Sequence, residues 1–294
     1  MNIYQRPMLP WPGLEAYTRS VRLATSGLTI HTYDTGEGAA PALLLVHGLG
    51  DEADTWRYLI RPLSTQSRVI ALDLPGFGRS DKPDRAYTVP FFQDTLLELL
   101  DTLSIQRATL IGHSLGALIA HTVALDYPER VERLILIGGS LVAGAQKLEM
   151  STVLFLMPML GEWQYNNLRK DPAAAYRTLD AYYSRLDRLP EADRTFLFQR
   201  VNERVWSDGQ RRAFLSTLRN LVRWLPGQQR ALPSRLASFA VPTLVIWGEA
   251  DRIQTVDNGR ALLKMQPSAR LVVVPGAGHN VQQENPQAVL EAIV

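Results

Sequence analysis

The sequence has 294 residues and no cysteine. Disulfides, thiolate-bound metals, iron–sulfur clusters and cysteine nucleophiles are therefore excluded together. A chain with no disulfide to maintain fits a reducing compartment, so we expect a cytoplasmic protein.

The chain also has little net charge and no long apolar run. Its 31 basic and 29 acidic residues leave a formal charge of +2, which gives no reason to expect a nucleic-acid partner. The longest apolar run covers residues 153–160 and contains Pro158, whereas a transmembrane helix needs about 20 residues. Residues 1–17 contain three prolines and lack the apolar stretch of a secretion signal. We expect no integral membrane association, and the sequence does not predict the oligomeric state.

Short apolar runs alternate with helical patterns along most of the chain. A weakly alternating segment at residues 28–33 predicts an outer strand. Uninterrupted apolar runs are typical of strands buried on both faces, and they occupy residues 42–46, 68–73, 108–111, 134–137, 243–247 and 270–274. Helical patterns between these runs predict right-handed crossovers. The predicted fold class is α/β, with a mostly parallel, doubly wound sheet.

Residues 140–235 interrupt this alternation. They have no convincing strand pattern, and they contain 11 of the 24 aromatic residues. Their 15 basic and 9 acidic residues give a net charge of +6. We predict a core domain of residues 1–139 and 236–294 with an inserted helical cap of residues 140–235. The charge fits a solvated face, or attraction of anionic substrates or lipid headgroups.

A serine stands at a predicted strand-to-helix corner, in Gly112-His-Ser-Leu-Gly116. The G-x-S-x-G pattern alone is weak, because it also arises by chance or around a serine N-cap. Between an apolar strand and a helical pattern it predicts a nucleophile elbow. Glycines relieve crowding around the strained serine backbone, and the helix N-terminus faces the charge that develops during attack. Ser114 is therefore the candidate nucleophile.

A serine hydroxyl needs a base to become a good nucleophile. The chain offers five histidines, namely His31, His47, His113, His121 and His279. His279 follows the last predicted strand in a loop, at the sheet edge where Ser114 also lies. The other four fall in an outer strand, a tight loop, the turn beside the serine and a packed helix face. His279 is therefore the candidate base.

The base needs a carboxylate to fix its tautomer and stabilise the imidazolium. Asp251 follows the strand at residues 243–247 at the same sheet edge, with Glu249 and Asp257 as competitors. The chain order Ser114, Asp251, His279 is the one expected of α/β-hydrolases among the serine-triad folds.

An anionic tetrahedral intermediate needs hydrogen-bond donors, each worth roughly 3 kcal/mol. The backbone N–H of Leu115 and that of Leu49, in His47-Gly-Leu-Gly50, are the candidates. Substrate contacts are predicted for His113 and Trp56, although core packing is an equal alternative for Trp56. No metal and no cofactor is predicted.

Together these motifs resemble the α/β-hydrolase family, from about residue 28 to residue 279 but outside the predicted cap. The segment Asp73-Leu-Pro-Gly-Phe-Gly-Arg-Ser80 is similar to one found in capped bacterial esterases, C–C bond hydrolases and dehalogenases. The resemblance specifies the fold and the Ser114, Asp251, His279 triad, and it is a poor guide to the substrate.

Departures from subfamily patterns narrow the expected activity. Haloalkane dehalogenases and epoxide hydrolases place aspartate where this chain has Ser114, and dienelactone hydrolases use cysteine. C–C bond hydrolases of meta-cleavage products usually carry Asn, Met and Trp where this chain has His113, Leu115 and Asn280. The resemblance therefore implies a serine carboxylesterase that acts on a small-molecule ester through an acyl-enzyme. A C–C bond hydrolase, a hydrolase-like receptor with little turnover, and lyase or perhydrolase chemistry remain alternatives.

Overall fold

The computed structural model describes residues 2–38, 40–142 and 150–294. The strands in this part of the chain are β1 (Thr18–Arg22), β2 (Thr29–Asp34), β3 (Ala40–Val46), β4 (Ser67–Leu72), β5 (Ala108–His113), β6 (Val131–Ile137), β7 (Thr243–Gly248) and β8 (Arg270–Val274). The helices are α1 (Ile60–Leu63), α2 (Val89–Thr102), α3 (Leu115–Asp126), α4 (Met150–Leu156), α5 (Leu160–Asn167), α6 (Pro172–Arg177), α7 (Glu191–Trp206), α8 (Asp208–Leu236), α9 (Val256–Met265), α10 (Val281–Glu284) and α11 (Pro286–Ile293).

The strands form one sheet in the order β1-β2-β4-β3-β5-β6-β7-β8. Strands β3 to β8 run parallel, and β1 and β2 are antiparallel to their neighbours. The predicted α/β class with a mostly parallel sheet is confirmed. The strand predicted at residues 28–33 is present as β2, but it is not the outermost strand, because β1 covers that edge. Its five residues include two exposed arginines and a serine, so apolar periodicity could not reveal it.

Two apolar clusters cover the two faces of the sheet. One contains buried residues of α2, α3 and α9 together with β3, β5, β6 and β7. The other contains α1, α10 and α11 against the opposite faces of the same central strands. Burial on both faces is the reason that the central strands read as uninterrupted apolar runs.

Helices α4 to α8 lie between β6 and β7 and occupy most of the predicted cap range of residues 140–235, with α8 ending one residue later at Leu236. They have a small apolar cluster of their own, with Tyr165, Tyr183 and Val201 among its buried members. Residues 143–149, at the start of the predicted cap, lie outside the described residues. No helix in the described ranges combines the length and the apolar character that a bilayer-spanning segment requires.

Candidate active site

The parallel register places several loops of interest at one edge of the sheet. Val46, at the end of β3, pairs with Gly112 near the end of β5, and His113 pairs with Ile137 at the end of β6. Gly248 pairs with Val274 at the ends of β7 and β8. The segments that carry Leu49, Ser114, Asp251 and His279 therefore start from the same carboxyl edge, where ligands bind in open α/β sheets.

Ser114 lies at the sharp turn between β5 and α3. Its φ is 52° and its ψ is −115°, a backbone conformation that L-residues rarely adopt. Its N–H donates to the carbonyl of Ile137 at 2.9 Å, which attaches the turn to the neighbouring strand. A Cβ at Gly116 would lie 2.1 Å from the carbonyl oxygen of Val46. Glycine is therefore required there for helix α3 to approach β3 this closely.

His279 and Asp251 are in direct contact. His279 Nδ1 and Asp251 Oδ2 are 2.8 Å apart, and both side chains are almost completely buried. The second carboxylate oxygen of Asp251 accepts the backbone N–H groups of Ile253 and Gln254 at 2.8 and 2.9 Å. Asp251 is thereby held in one orientation and fixes the imidazole with Nδ1 as the donor.

The two competing carboxylates do not contact His279. Glu249 accepts the N–H of Gly276 at 3.1 Å, and Asp257 pairs with Arg260 on the exposed surface of α9. A Cβ at Gly248 would lie 2.1 Å from the carbonyl oxygen of Gly278. Glycine at this position therefore allows the loop of Asp251 to pack against the loop of His279.

Ser114 and His279 border the same turn after β6. A Cβ at Gly138 would lie 3.4 Å from His279 Nδ1, and a Cβ at Gly139 would lie 2.5 Å from the carbonyl oxygen of Ser114. His279 Nε2 is buried and has no hydrogen-bond partner among the described residues. His31, His113 and His121 also have one buried ring nitrogen without a partner in this part of the chain, so it is the contact with Asp251 that distinguishes His279. The Ser114 hydroxyl forms no hydrogen bond with His279 Nε2, and such a bond can tighten as late as the transition-state complex.

We name His47-Gly-Leu-Gly50, which contains the predicted donor Leu49, the oxyanion segment. It lies beside Ser114. His47 Nδ1 bonds the carbonyl of Gly48 at 2.7 Å, and Leu74 N–H donates to His47 Nε2 at 2.8 Å. Burial lowers the pKa of His47, so the ring stays neutral and keeps this donor–acceptor pattern. The N–H groups of Leu49 and Leu115 form no hydrogen bond with a described residue. Both are thus free to bind an oxyanion.

The remaining histidines have structural contacts. His113 Nε2 bonds the carbonyl of His279 at 3.1 Å, and the two rings lie 4.8 Å apart. Burial, with the neighbouring His279 as a secondary cause, lowers the pKa of His113 to about 3. The His113 side chain is 3% exposed and contacts the loop of His279, and its substrate contact stays a prediction. Burial lowers the pKa of His121 to about 3 as well.

Trp56 is completely buried in the cluster formed with α1, α10 and α11. This position favours the core-packing alternative for Trp56, and its substrate contact stays a prediction. Aromatic residues from the segment between β6 and β7 lie close to the site. A Cβ at Gly50 would lie 3.2 Å from the ring of Phe214 in α8, and the ring of Tyr182 lies 5.8 Å from that of His279.

Sequence reasoning missed a buried ion network that follows the oxyanion segment. Arg204 on α7 contacts both carboxylate oxygens of Glu52, at 2.6 and 2.7 Å, and also bonds Asp51. Arg200, one turn earlier, lies 3.5 Å from Glu52 and 3.4 Å from Asp54. Burial outweighs the arginines and raises the pKa of Glu52 to about 7. The pairing of Asp51-Glu52 with a helix about 150 residues away leaves no local signal in the sequence.

A second missed contact attaches the loop of His279 to Ser184, in the segment between β6 and β7. Glu284 accepts the N–H of Gly278 at 2.6 Å through one oxygen. Its other oxygen accepts the N–H and the hydroxyl of Ser184 at 2.8 and 2.6 Å. His279 and its loop are therefore held by three residues, Asp251, His113 and Glu284. No group of histidine and carboxylate side chains suited to a metal ion occurs among the described residues.

This sheet, with a strained serine and a carboxylate-bound histidine at its carboxyl edge, is the arrangement of an α/β-hydrolase. The chain belongs to that family, since the model of the alpha/beta hydrolase fold matches residues 41–286. It is accordingly a hydrolase.

Among curated proteins, the chain is similar to the 2-hydroxy-6-oxononadienedioate/2-hydroxy-6-oxononatrienedioate hydrolase of Burkholderia vietnamiensis. The two are 32% identical over an alignment of 269 positions that covers 88% of this chain and 87% of that protein. Among solved structures, a 2-hydroxy-6-oxo-6-phenylhexa-2,4-dienoate hydrolase from Rhodococcus matches with a TM-score of 0.78 at 22% identity, covering 94% of this chain and 96% of that one. A thermophilic esterase from Thermogutta terrifontis matches with a TM-score of 0.74 at 23% identity, covering 94% and 96%. These structural likenesses show the fold alone.

Proposed function

We propose that this hydrolase cleaves carboxylic esters through a Ser114–His279–Asp251 triad and an acyl-enzyme. The observation that carries the proposal is the orientation of His279. Its Nδ1 is 2.8 Å from Asp251 Oδ2, while its Nε2 has no partner among the described residues. That leaves a proton acceptor at the edge that carries the strained serine.

Acylation and deacylation use the same groups in reverse order. Ser114 Oγ attacks the ester carbonyl carbon while His279 Nε2 takes the hydroxyl proton, and Asp251 stabilises the imidazolium. The N–H groups of Leu49 and Leu115 bind the carbonyl oxygen as it becomes anionic. Collapse of the tetrahedral intermediate breaks the bond to the alkoxy oxygen, which receives the proton from His279. Water, deprotonated by His279, then attacks the acyl carbon. The bond to Ser114 Oγ breaks, Oγ receives the proton back from His279, and the acid leaves.

The side chains near these groups support a small or medium acyl chain. Phe214 lies against the oxyanion segment at Gly50, and its ring centroid is 5.7 Å from those of Phe155 and Tyr165. Tyr182 flanks the ring of His279. This aromatic wall offers apolar contact and no fixed charge, which suits a neutral ester.

Active-site labelling combined with an ester panel tests the proposal. A fluorophosphonate probe should label the wild type and the matched variant Ser140→Ala, a buried serine at the same sheet edge, but not Ser114→Ala. Hydrolysis of p-nitrophenyl esters of graded acyl length should fall by about 10⁶ in kcat in Ser114→Ala. Equal rates in the two proteins, or no labelling of the folded wild type, would refute the assignment and favour a receptor with little turnover.

A second candidate is hydrolysis of the C–C bond of a vinylogous diketone. It is favoured by the 32% identity to the Burkholderia vietnamiensis hydrolase over most of both chains. Ester hydrolysis is preferred because His113, Leu115 and Asn280 stand where such enzymes usually carry other residues. A kcat/KM for a 2-hydroxy-6-oxo-dienoate far above that for every ester of the panel would select the C–C reaction instead.

A further inference from the structure

An exposed apolar turn protrudes from the outer surface of the cap. Met157 is 46% exposed, Met159 82%, Leu160 42% and Trp163 64%. Met157 and Met159 lie between α4 and α5, and Leu160 and Trp163 lie on the first turn of α5; we name these four residues the apolar edge. Single exposed apolar residues are ordinary, whereas a group of four within seven residues suggests an interaction surface.

A cleft of about 340 Å³ lies next to the apolar edge. Five arginines line it, namely Arg85, Arg211, Arg212, Arg219 and Arg223. The acidic side chains on its wall are Asp84 and Glu162, so the arginine cleft has an excess of positive charge.

Not all of this positive charge is neutralised within the protein. Arg219 pairs with Glu162 at 2.8 Å, and Arg211 lies 3.4 Å from Asp208. Arg212 and Arg223 form no ion pair with a residue of the described ranges. Arginine binds phosphate oxygens through its planar fork of N–H donors. At least two guanidinium groups of the cleft are available for an anion.

The arginine cleft and the apolar edge form one continuous surface. Arg219, on α8, lines the cleft and donates to the carbonyls of Leu156 and Met157 at 3.3 and 3.1 Å. Glu162, on α5, belongs to the cleft wall and stands next to Trp163. A ligand that fills the cleft with an anion would therefore also meet the apolar edge.

We propose that this face docks the protein on a membrane surface that contains anionic phospholipid. The apolar edge enters the boundary between headgroups and acyl chains, and the arginine cleft binds headgroup phosphates. The +6 charge of residues 140–235, against −4 for the rest of the chain, orients this face toward an anionic surface. A second copy of the chain fits less well, because a two-fold contact would oppose two arginine clefts. The proposal does not depend on the ester activity.

Vesicle co-sedimentation tests the proposal with the full chain. We expect binding to phosphatidylcholine vesicles in which phosphatidylglycerol replaces about a third of the lipid, weakened by NaCl, and little binding to phosphatidylcholine alone. Trp163 emission should shift to shorter wavelength on binding. Equal binding to both vesicle types, or none to either, would overturn the proposal.

Substitutions in the arginine cleft and in the apolar edge test which residues contact the vesicle. Arg212→Gln/Arg223→Gln should weaken binding about 30-fold, from about fivefold for each charge removed. Met159→Asn/Trp163→Ala should weaken it at least about tenfold. The matched controls Arg188→Gln/Arg270→Gln and Leu9→Ala change exposed residues elsewhere and should bind like the wild type.

The variants and controls also define the contrary results. Circular dichroism and melting temperature verify that each variant is folded. If the controls lost as much binding as the variants of the cleft and the edge, the contact would not be local and the proposal would fail. A concentration-dependent dimer that is abolished by Met159→Asn/Trp163→Ala, with no vesicle binding, would assign the face to a second copy and overturn the membrane assignment.

Discussion

Arg204 on α7 pairs with Asp51 and Glu52, which directly follow the oxyanion segment. The substitution Arg204→Met tests how much this ion network stabilises the fold. The Arg204 side chain is 10% exposed and Glu52 is 1% exposed. The guanidinium makes two contacts with Glu52 and one with Asp51. Methionine has a similar length and keeps the apolar packing of the stem, so the substitution removes chiefly the charge. Two carboxylates are left with Arg200, which lies 3.5 Å from Glu52.

Removal of one partner from a buried ion pair costs about 3–5 kcal/mol, a large part of the roughly 5–15 kcal/mol that stabilises a native protein. Urea unfolding at pH 8, followed by circular dichroism, should show a loss of this size. It corresponds to a decrease of roughly 6–10 °C in melting temperature. Arg177→Met is the matched control, because Arg177 pairs with Asp171 on the exposed surface at 3.5 Å. It should change the free energy of unfolding by less than about 1 kcal/mol.

The loss should depend on pH with a definite sign. The pKa of Glu52 is about 7 in the folded wild type, raised from 4.5 by burial, and removal of Arg204 raises it further. When a carboxyl group has a higher pKa in the folded than in the unfolded state, the unfolded state loses its proton first as pH rises. The fold therefore loses stability between the unfolded pKa and the folded pKa. The loss in Arg204→Met should therefore be about 1–2 kcal/mol smaller at pH 5.5 than at pH 8.

The double variant Arg204→Met/Glu52→Gln isolates the buried carboxylate. It should recover at least half of the loss at pH 8, because the charge left without its partner is gone. A loss below about 1 kcal/mol in Arg204→Met, or an equal loss at both pH values that the double variant does not relieve, would refute this account of the network.

Three further predictions address the site and the core. Asp251→Asn should lower kcat for ester hydrolysis by about 10³–10⁴ through loss of the Nδ1–H acceptor, with a native circular dichroism spectrum, and a loss under tenfold would contradict its role. Gly116→Ala should destabilise the fold by at least about 3 kcal/mol, because the new Cβ would lie 2.1 Å from the carbonyl of Val46. Gly227→Ala is the control, because nothing lies within 4 Å of the new Cβ in helix α8, and it should stabilise the fold by about 1 kcal/mol. Equal melting temperatures for Gly116→Ala and Gly227→Ala would argue against the close packing of α3 on β3. Burial lowers the pKa of His121 to about 3 from 6.5, so stability present above pH 6.5 is lost as pH falls, by about 2 kcal/mol at pH 5. His121→Leu should reduce this loss between pH 7 and 5 in urea unfolding, and an unchanged loss would show that His121 does not contribute.

Local sequence patterns predicted the sheet and the corner at Ser114. The central strands are buried on both faces, so their apolar runs end at the glycines and polar residues of the carboxyl edge. Strand β1 was missed because an exposed edge strand needs no apolar run. For Trp56 the sequence left substrate contact and core packing open, since proximity in sequence to the oxyanion segment does not say which face of the sheet a side chain covers. The structure buries Trp56 in an apolar cluster.

The sequence by itself determined which chemical groups are available, namely a serine at a strand–helix corner and a histidine and an aspartate after later strands. Those signals are local, because strand ends and tight turns are written in neighbouring residues. Only the tertiary structure decided that Asp251, rather than Glu249 or Asp257, contacts His279. It alone showed that Arg204 pairs with Asp51 and Glu52 and that Arg212 and Arg223 line one cleft with Glu162, the neighbour of Trp163. These contacts join residues far apart in the chain, and side-chain direction across packed elements leaves no periodic trace in the sequence.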